Sequence, residues 1–192
     1  MQRLTILIFA FCMTLGPAFA DVTEKTTYKP FLVRGKSASA IYKSVIDNSY
    51  KKNELRTFAT TNVTLTPKIK LATKPQCKIT QASITARFIV NLPHLENEAA
   101  LAPDLRQDWE DFSAVLKHHE ERHRNLWLGC AAKLTKAATG VRASDCNSFA
   151  TRFDARIRAV NELCQAQDDA FDDAEHKRLP GIPFIQRAMK DQ

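Results

Sequence analysis

The chain has 192 residues and a formal net charge of +7, with 44% hydrophobic, 26% charged and 8% aromatic residues. These proportions are typical of a globular protein and exclude a collagen-like, disordered or disulfide-dense chain. The sequence has one long apolar run, which lies at its start, and this excludes a polytopic membrane protein. The length suits one ordinary domain.

The first twenty residues have the layout of a secretory signal peptide. Arg3 precedes an apolar run over Leu4–Leu15, and Ala18-Phe19-Ala20 supplies the small residues of a cleavage site. The alternative is a membrane anchor, but the run is shorter than the roughly 20 residues that span a bilayer. We therefore predict cleavage after Ala20, export to the periplasm or the medium, and a single domain over residues 21–192.

Four cysteines remain after cleavage, because Cys12 leaves with the signal peptide. An even number of cysteines in an exported chain favours two disulfides. The alternative, a four-cysteine zinc site, lacks any C-x-x-C pair. The sequence leaves three connectivities open. The attractive one joins Cys130 to Cys146 across a helix-to-helix turn and leaves Cys77 with Cys164.

Apolar side chains alternate with polar ones through the first half of the mature chain, which predicts strands. Pro67 is expected to interrupt the second strand and Pro93 to end the third. Between the first two strands, Ser37 can cap a short helix over Ala38–Asn48. The predicted strands are Tyr28–Arg34, Phe58–Leu71 and Cys77–Leu92.

After Pro93 the apolar residues recur at three- and four-residue steps, which predicts helices. One long helix should cover Asp104–Ala138, and a second should run from Asp145 or Ser148 to about Glu175. Strands first and long helices second indicate an α+β fold. We expect a small antiparallel sheet in the N-terminal half, packed against the long C-terminal helices.

The first long helix contains an H-E-x-x-H motif. His119 and His123 lie within its apolar stripe, so they should face the interior rather than water. Residues four apart have Cβ atoms about 5–6 Å from each other, and two imidazoles at that spacing can bind one zinc ion. Glu120 would lie beside the metal and act as the general base towards zinc-bound water. The alternative is a surface helix that carries these residues by chance.

A catalytic zinc ion usually has three protein ligands, and the third is not fixed by the motif. The second long helix should run antiparallel to the first. Its end, about one to three turns beyond the level of His119, carries Asp172, Glu175 and His176. We choose His176 as the third ligand. His94 precedes the helices and is expected to be a loop residue.

With these motifs the chain resembles the bacterial predicted secreted zinc-dependent proteases, catalogued as domain of unknown function 922. The resemblance includes the early strand, Trp109-x-x-Phe112, the His119–His123 motif and a cysteine near the next helix, Cys146. It implies a zincin-like peptidase in which the two motif histidines bind zinc and Glu120 is the base.

The sequence therefore predicts an exported zinc-dependent metallohydrolase, expected to be a peptidase with a protein or peptide substrate. The alternative is a non-catalytic, basic envelope module in which the helix is structural and lysines contact acidic envelope surfaces. Nucleic acid is not an expected partner, because the exported chain shows no recognition motif. The oligomeric state is not determined by the sequence.

Overall fold

The computed structural model describes residues 21–49, 51–52 and 55–190, so the predicted signal peptide and its cleavage site lie outside the described residues. The described chain has the predicted α+β architecture, with a small sheet in the N-terminal half and long helices after it. Two short 3₁₀ turns cover Glu98–Ala100 and Leu179–Gly181. The strands and helices in chain order are β1 Asp21–Val33, α1 Ala38–Asn48, β2 Lys51–Lys52, β3 Leu55–Arg56, β4 Thr60–Ala72, β5 Cys77–Leu95, α2 Pro103–Thr139, β6 Arg142–Ala143, α3 Cys146–His176 and α4 Pro183–Lys190.

The main sheet is mixed rather than wholly antiparallel. Strand β5 is central, with β1 parallel to it on one side and β4 antiparallel on the other, and β6 pairs with the start of β5. The parallel pair is possible because α1, β2, β3 and β4 all intervene between β1 and β5 and give the chain length for a crossover.

Proline limits the strands less than the sequence pattern predicts. Pro67 lies within β4, an edge strand, where a residue without an N–H is tolerated because one side of the strand has no ladder. Pro93 lies within β5 opposite Phe31, and the strand continues to Leu95. The register shift in the β4–β5 ladder falls between Lys70 and Leu71.

Helix α2 packs across one face of the sheet because its apolar stripe meets the inward side chains of β5. Trp109 and Phe112 are fully buried there, and Phe184 of α4 stacks on Phe112 with ring centroids 4.9 Å apart. Nearer the other end of α2, Ala131 and Leu134 pack on Ile84 of β5. Helix α3 returns antiparallel to α2 and packs along it.

Two disulfides are present, as predicted, but the expected pairing is wrong. Cys77 is joined to Cys146, and Cys130 is joined to Cys164. Cys130 lies more than two turns before the end of α2, so the antiparallel return of α3 places Cys164 opposite it. Cys146 instead follows β6, whose pairing with β5 brings it to Cys77. The disulfides indicate an oxidising, extracytoplasmic environment.

The helices in the described part of the chain are too polar or too short for any of them to cross a bilayer.

Candidate metal centre

The antiparallel packing of α2 and α3 brings three potential metal ligands together. His119 and His123 project from one face of α2 one turn apart, and Asp172 projects from α3 towards them. One ligand atom from each of the three lies within 4.8 Å of the others. We call His119, His123 and Asp172 the donor cluster.

The separations in the donor cluster suit a tetrahedral ion. Asp172 Oδ1 lies 2.8 Å from His123 Nε2 and 3.2 Å from His119 Nε2, and the two Nε2 atoms are 3.0 Å apart. Metal–ligand bonds of about 2.0–2.2 Å at tetrahedral angles place donor atoms about 3.3 Å apart. The three atoms are within a few tenths of an ångström of that spacing, so a zinc ion fits with small movements.

The donor cluster is closed towards the protein interior and open on one side. His123 is buried, whereas the Asp172 side chain is 39% exposed. Catalytic zinc sites combine three protein ligands with a position accessible to water and substrate. Exposure at Asp172 provides such access.

Asp168 orients His123 from behind. Asp168 Oδ1 lies 2.7 Å from His123 Nδ1, the ring nitrogen that points away from the donor cluster, and both residues are buried. A carboxylate on the far nitrogen of a ligating histidine fixes the tautomer in which Nε2 is free to bind metal. The structure therefore pairs a potential ligand with a carboxylate that can orient it.

An aromatic side chain holds the two imidazoles in place. Phe171, beside Asp172 on α3, stacks on His119 with ring centroids 4.9 Å apart and meets His123 edge-on at 5.1 Å. Such contacts restrict ring rotation, which pre-organises the nitrogens for a ligand.

Glu120 is buried beside the donor cluster. Only 3% of the residue is exposed, and its Oε2 atom has no hydrogen-bond partner among the described residues. Burial raises the pKa of the Glu120 carboxyl above its ordinary value, while a hydrogen bond from the Thr61 side chain and the charges of His119 and His123 oppose that rise. A buried carboxyl oxygen without a partner is costly unless a ligand or water satisfies it. Glu120 therefore offers a buried carboxylate oxygen that a bound ligand or water could satisfy.

Strong coupling links the charges in this centre. Burial of the His123 ring lowers its pKa, but hydrogen bonds to Asp168 and Asp172 outweigh burial and raise that pKa to about 9. Burial likewise raises the pKa of Asp172, yet hydrogen bonds from the two histidines lower it well below its ordinary range. The protonated His123 ring therefore lies between the carboxylates of Asp168 and Asp172 and carries one positive charge there.

The structure brings together three of the four predicted site residues. His119 and His123 share the donor cluster, and Glu120 lies next to it. His176 is exposed in the last turn of α3, outside the donor cluster. Glu175 pairs with Arg178, and its distance along α3 from Asp172 is nearly one turn.

Asp172 is one of the alternative third ligands that the sequence predicts, whereas Asp168 is not among them. A signal was present, because Asp168 and Asp172 are four residues apart on a helix and so share a face. The apolar residue Cys164 lies one turn earlier on that same face. Two acids in line with a buried cysteine indicate a carboxylate pair directed at the neighbouring helix.

A family model, described as bacterial protein of unknown function (DUF922), matches residues 28–178 of the chain. That match includes the sheet from Tyr28 onward, all of α2 and all of α3. Comparison with curated proteins and with solved structures found no match.

Proposed function

The chain belongs to this bacterial family of unknown function, and we propose that it is an extracytoplasmic zinc-dependent metallohydrolase acting on peptides. His119, His123 and Asp172 are the proposed zinc ligands, and Glu120 is the proposed general base. The observation that carries the proposal is the donor cluster, three ligand atoms within 4.8 Å of one another beside a buried glutamate.

The donor set favours zinc. Two imidazole nitrogens and one carboxylate oxygen match the two-histidine, one-carboxylate set of known zinc hydrolases, and the spacing of the donors suits a tetrahedral ion. Asp168 supports the assignment, because a histidine that binds metal almost always donates its other ring N–H to a carboxylate, a backbone carbonyl or water.

When bound, zinc supplies Lewis-acid polarisation of a carbonyl and lowers the pKa of a water molecule to about 7. The residues of the chain perform the rest of the proposed reaction. Glu120 accepts a proton from the attacking water at a carboxylate oxygen and delivers it to the departing amine. Asp168 keeps His123 in the tautomer that leaves Nε2 available, and Phe171 restricts the motion of both rings.

A peptide substrate is supported by the strand next to Glu120. The hydroxyl of Thr61 donates to the backbone carbonyl of Glu120 at 3.1 Å, which joins the start of β4 to the motif helix. Among the described residues, strand β4 is an edge of the main sheet, so an extended chain can pair with the donors and acceptors on one side of its backbone. A peptide added there would lie alongside the proposed base.

The test measures zinc content and peptide hydrolysis in the purified mature protein. We expect about one zinc per chain in the wild type, little in His119→Ala, and wild-type content in Glu120→Gln. Hydrolysis of a mixed peptide library, followed by mass spectrometry, should fall about 10²–10⁴-fold in Glu120→Gln, as loss of a general base does.

Glu110→Gln is the matched control, because Glu110 is an exposed carboxylate on α2 that pairs with Arg106 and lies outside the donor cluster. This variant should retain both zinc and activity. Absence of zinc from all folded variants would overturn the metal centre. Zinc binding with no hydrolysis of any peptide would overturn the peptidase assignment alone.

A further inference from the structure

We propose that the outer face of the main sheet docks the protein on a membrane surface rich in anionic phospholipid. This proposal is independent of the metal centre, which lies on the opposite face of the sheet. It rests on the register of the three long strands and on the charges that this register aligns.

The strand register defines which side chains share the outer face. Residues directly opposite each other in a sheet point to the same side, and each strand alternates between its two faces. Ile84, Ala86 and Phe88 of β5 are buried under α2, so the residues between them point outward. Arg87 is therefore on the outer face, with Lys25 of β1 and Thr64 of β4 as its neighbours.

The outer face is strongly basic. Among the described residues, its sole acidic side chain is Asp21, at the first row of β1. The rows between the charges carry mostly threonine, as at Thr23, Thr85 and Thr66, whose hydroxyls can donate to phosphate oxygens. The cations on this face are Lys25, Lys68, Lys70 and Arg87.

The cations are spread in two dimensions. They occupy all three strands, about 10 Å across at the usual strand spacing, and extend about 20 Å along the strands from Lys70 to the row of Lys25 and Arg87. A linear polyanion in a groove would be matched by a single row of charge. A planar array of headgroup phosphates is matched by a two-dimensional patch.

The exposure of the basic residues and the extracytoplasmic location both support a membrane surface as the partner. These basic residues are all exposed, and none has an ion-pair partner within the described part of the chain. Ile89, in the middle of the face, is 38% exposed and can contact the acyl boundary between headgroups. The two disulfides indicate an extracytoplasmic location, where the protein meets phospholipid surfaces.

The test is co-sedimentation of the purified mature protein with phosphatidylcholine vesicles that contain or lack phosphatidylglycerol. The face variant is Lys25→Gln, Lys68→Gln and Arg87→Gln together. Each basic residue near an anionic surface contributes about fivefold to binding, so we expect the face variant to bind about 100-fold more weakly. Wild-type binding should also decline as salt is added.

The matched control removes three charges from the helices, at exposed positions remote from the face: Lys136→Gln, Arg156→Gln and Arg158→Gln. This control has the same net charge as the face variant and should bind like the wild type. The proposal is overturned if both variants lose binding equally, because total charge would then explain it. It is also overturned if the wild type ignores phosphatidylglycerol or binds soluble polyphosphate in preference to vesicles.

Discussion

Asp168 Oδ1 lies 2.7 Å from His123 Nδ1, and both side chains are 9% exposed. The contact joins α3 to α2 across the interface between them, 45 residues apart in the chain. It determines which imidazole nitrogen faces the donor cluster. A residue that never touches the proposed ion therefore controls the availability of one of its ligands.

Asp168→Asn tests this positioning role. The amide keeps the size of the side chain but loses the charge that holds the proton on Nδ1. We expect zinc affinity to fall 10–100-fold, the usual cost of losing such a partner. Competition with a chelator of known affinity measures the change. Asp169→Asn, at an exposed neighbour bonded to Gln165, should leave affinity unchanged.

The third ligand is tested by comparing Asp172→Ala with His176→Ala. Asp172 Oδ1 faces both histidine nitrogens, so its removal should reduce zinc affinity by at least the 10–100-fold that loss of an outer-shell partner costs. His176 is exposed outside the donor cluster, so its removal should have no effect. Isothermal titration at neutral pH separates the two. A larger loss in His176→Ala would restore the ligand that the sequence favoured.

Local patterns predicted much of the fold. Ser37 caps α1 by accepting from the backbone N–H of Ala40, and Asp145 caps α3 in the same way through Ser148. Each signal depends on neighbours within four residues, which the sequence displays directly. Capping and helical periodicity therefore located α1, α2 and α3 within one or two residues.

Contacts between segments that are distant in the sequence were harder to predict. The parallel pairing of β1 with β5 and the two disulfides both depend on how distant segments meet. Cys130 and Cys146 flank a turn, so they look adjacent in sequence, but two turns of α2 separate Cys130 from that turn. The sequence could not separate Asp172 from His176 for the same reason. Which of the two residues faces α2 depends on the rotation of α3 about its axis.

The Cys130–Cys164 disulfide should stabilise both the fold and the donor cluster. Cys130 lies two turns after His123, and Cys164 lies one turn before Asp168, so this bridge fixes the spacing of α2 and α3 next to the centre. Replacing both cysteines with serine should cost about 4 kcal/mol of unfolding free energy for a 34-residue separation. Zinc affinity of the folded variant should also fall.

The Cys77–Cys146 disulfide is the control for that variant. Its separation of 69 residues predicts a similar loss of stability, about 4 kcal/mol. It joins the start of β5 to the start of α3, far from the donor cluster, so its removal should leave zinc affinity unchanged. Urea unfolding and zinc titration of both variants distinguish stability from positioning. Equal loss of zinc affinity in the two would contradict the proposed role of Cys130–Cys164.

The aromatic core under α4 should carry much of the stability. Phe184 is fully buried, stacked on Phe112 and edge-on to Trp109 at 5.4 Å. Phe184→Ala should cost about 3–5 kcal/mol, since the cavity cannot be filled without moving α4. Met189→Ala, on the exposed side of the same helix, should cost less than about 0.5 kcal/mol. Urea denaturation measures both.

Stability of the metal-free protein should depend on pH through His123. Its pKa is raised from 6.5 to about 9 in the folded state, because the hydrogen bonds to Asp168 and Asp172 outweigh burial. A raised pKa means that the folded state holds the proton more tightly than the unfolded state. The contribution is therefore complete below about pH 6.5 and is lost as the pH rises through 9. Thermal unfolding in chelator should show a falling midpoint over that window.

Zinc affinity should have the opposite dependence on pH. The ion needs the neutral imidazole, so it competes with the proton on His123 and binds more tightly as the pH rises towards 9. His123→Gln should abolish both trends, since the glutamine does not titrate. His94→Gln is the control, because His94 is exposed on β5 and lies outside the donor cluster. A melting midpoint in chelator that stays flat from pH 6.5 to 9 would show that the charge pairing around His123 is absent in solution.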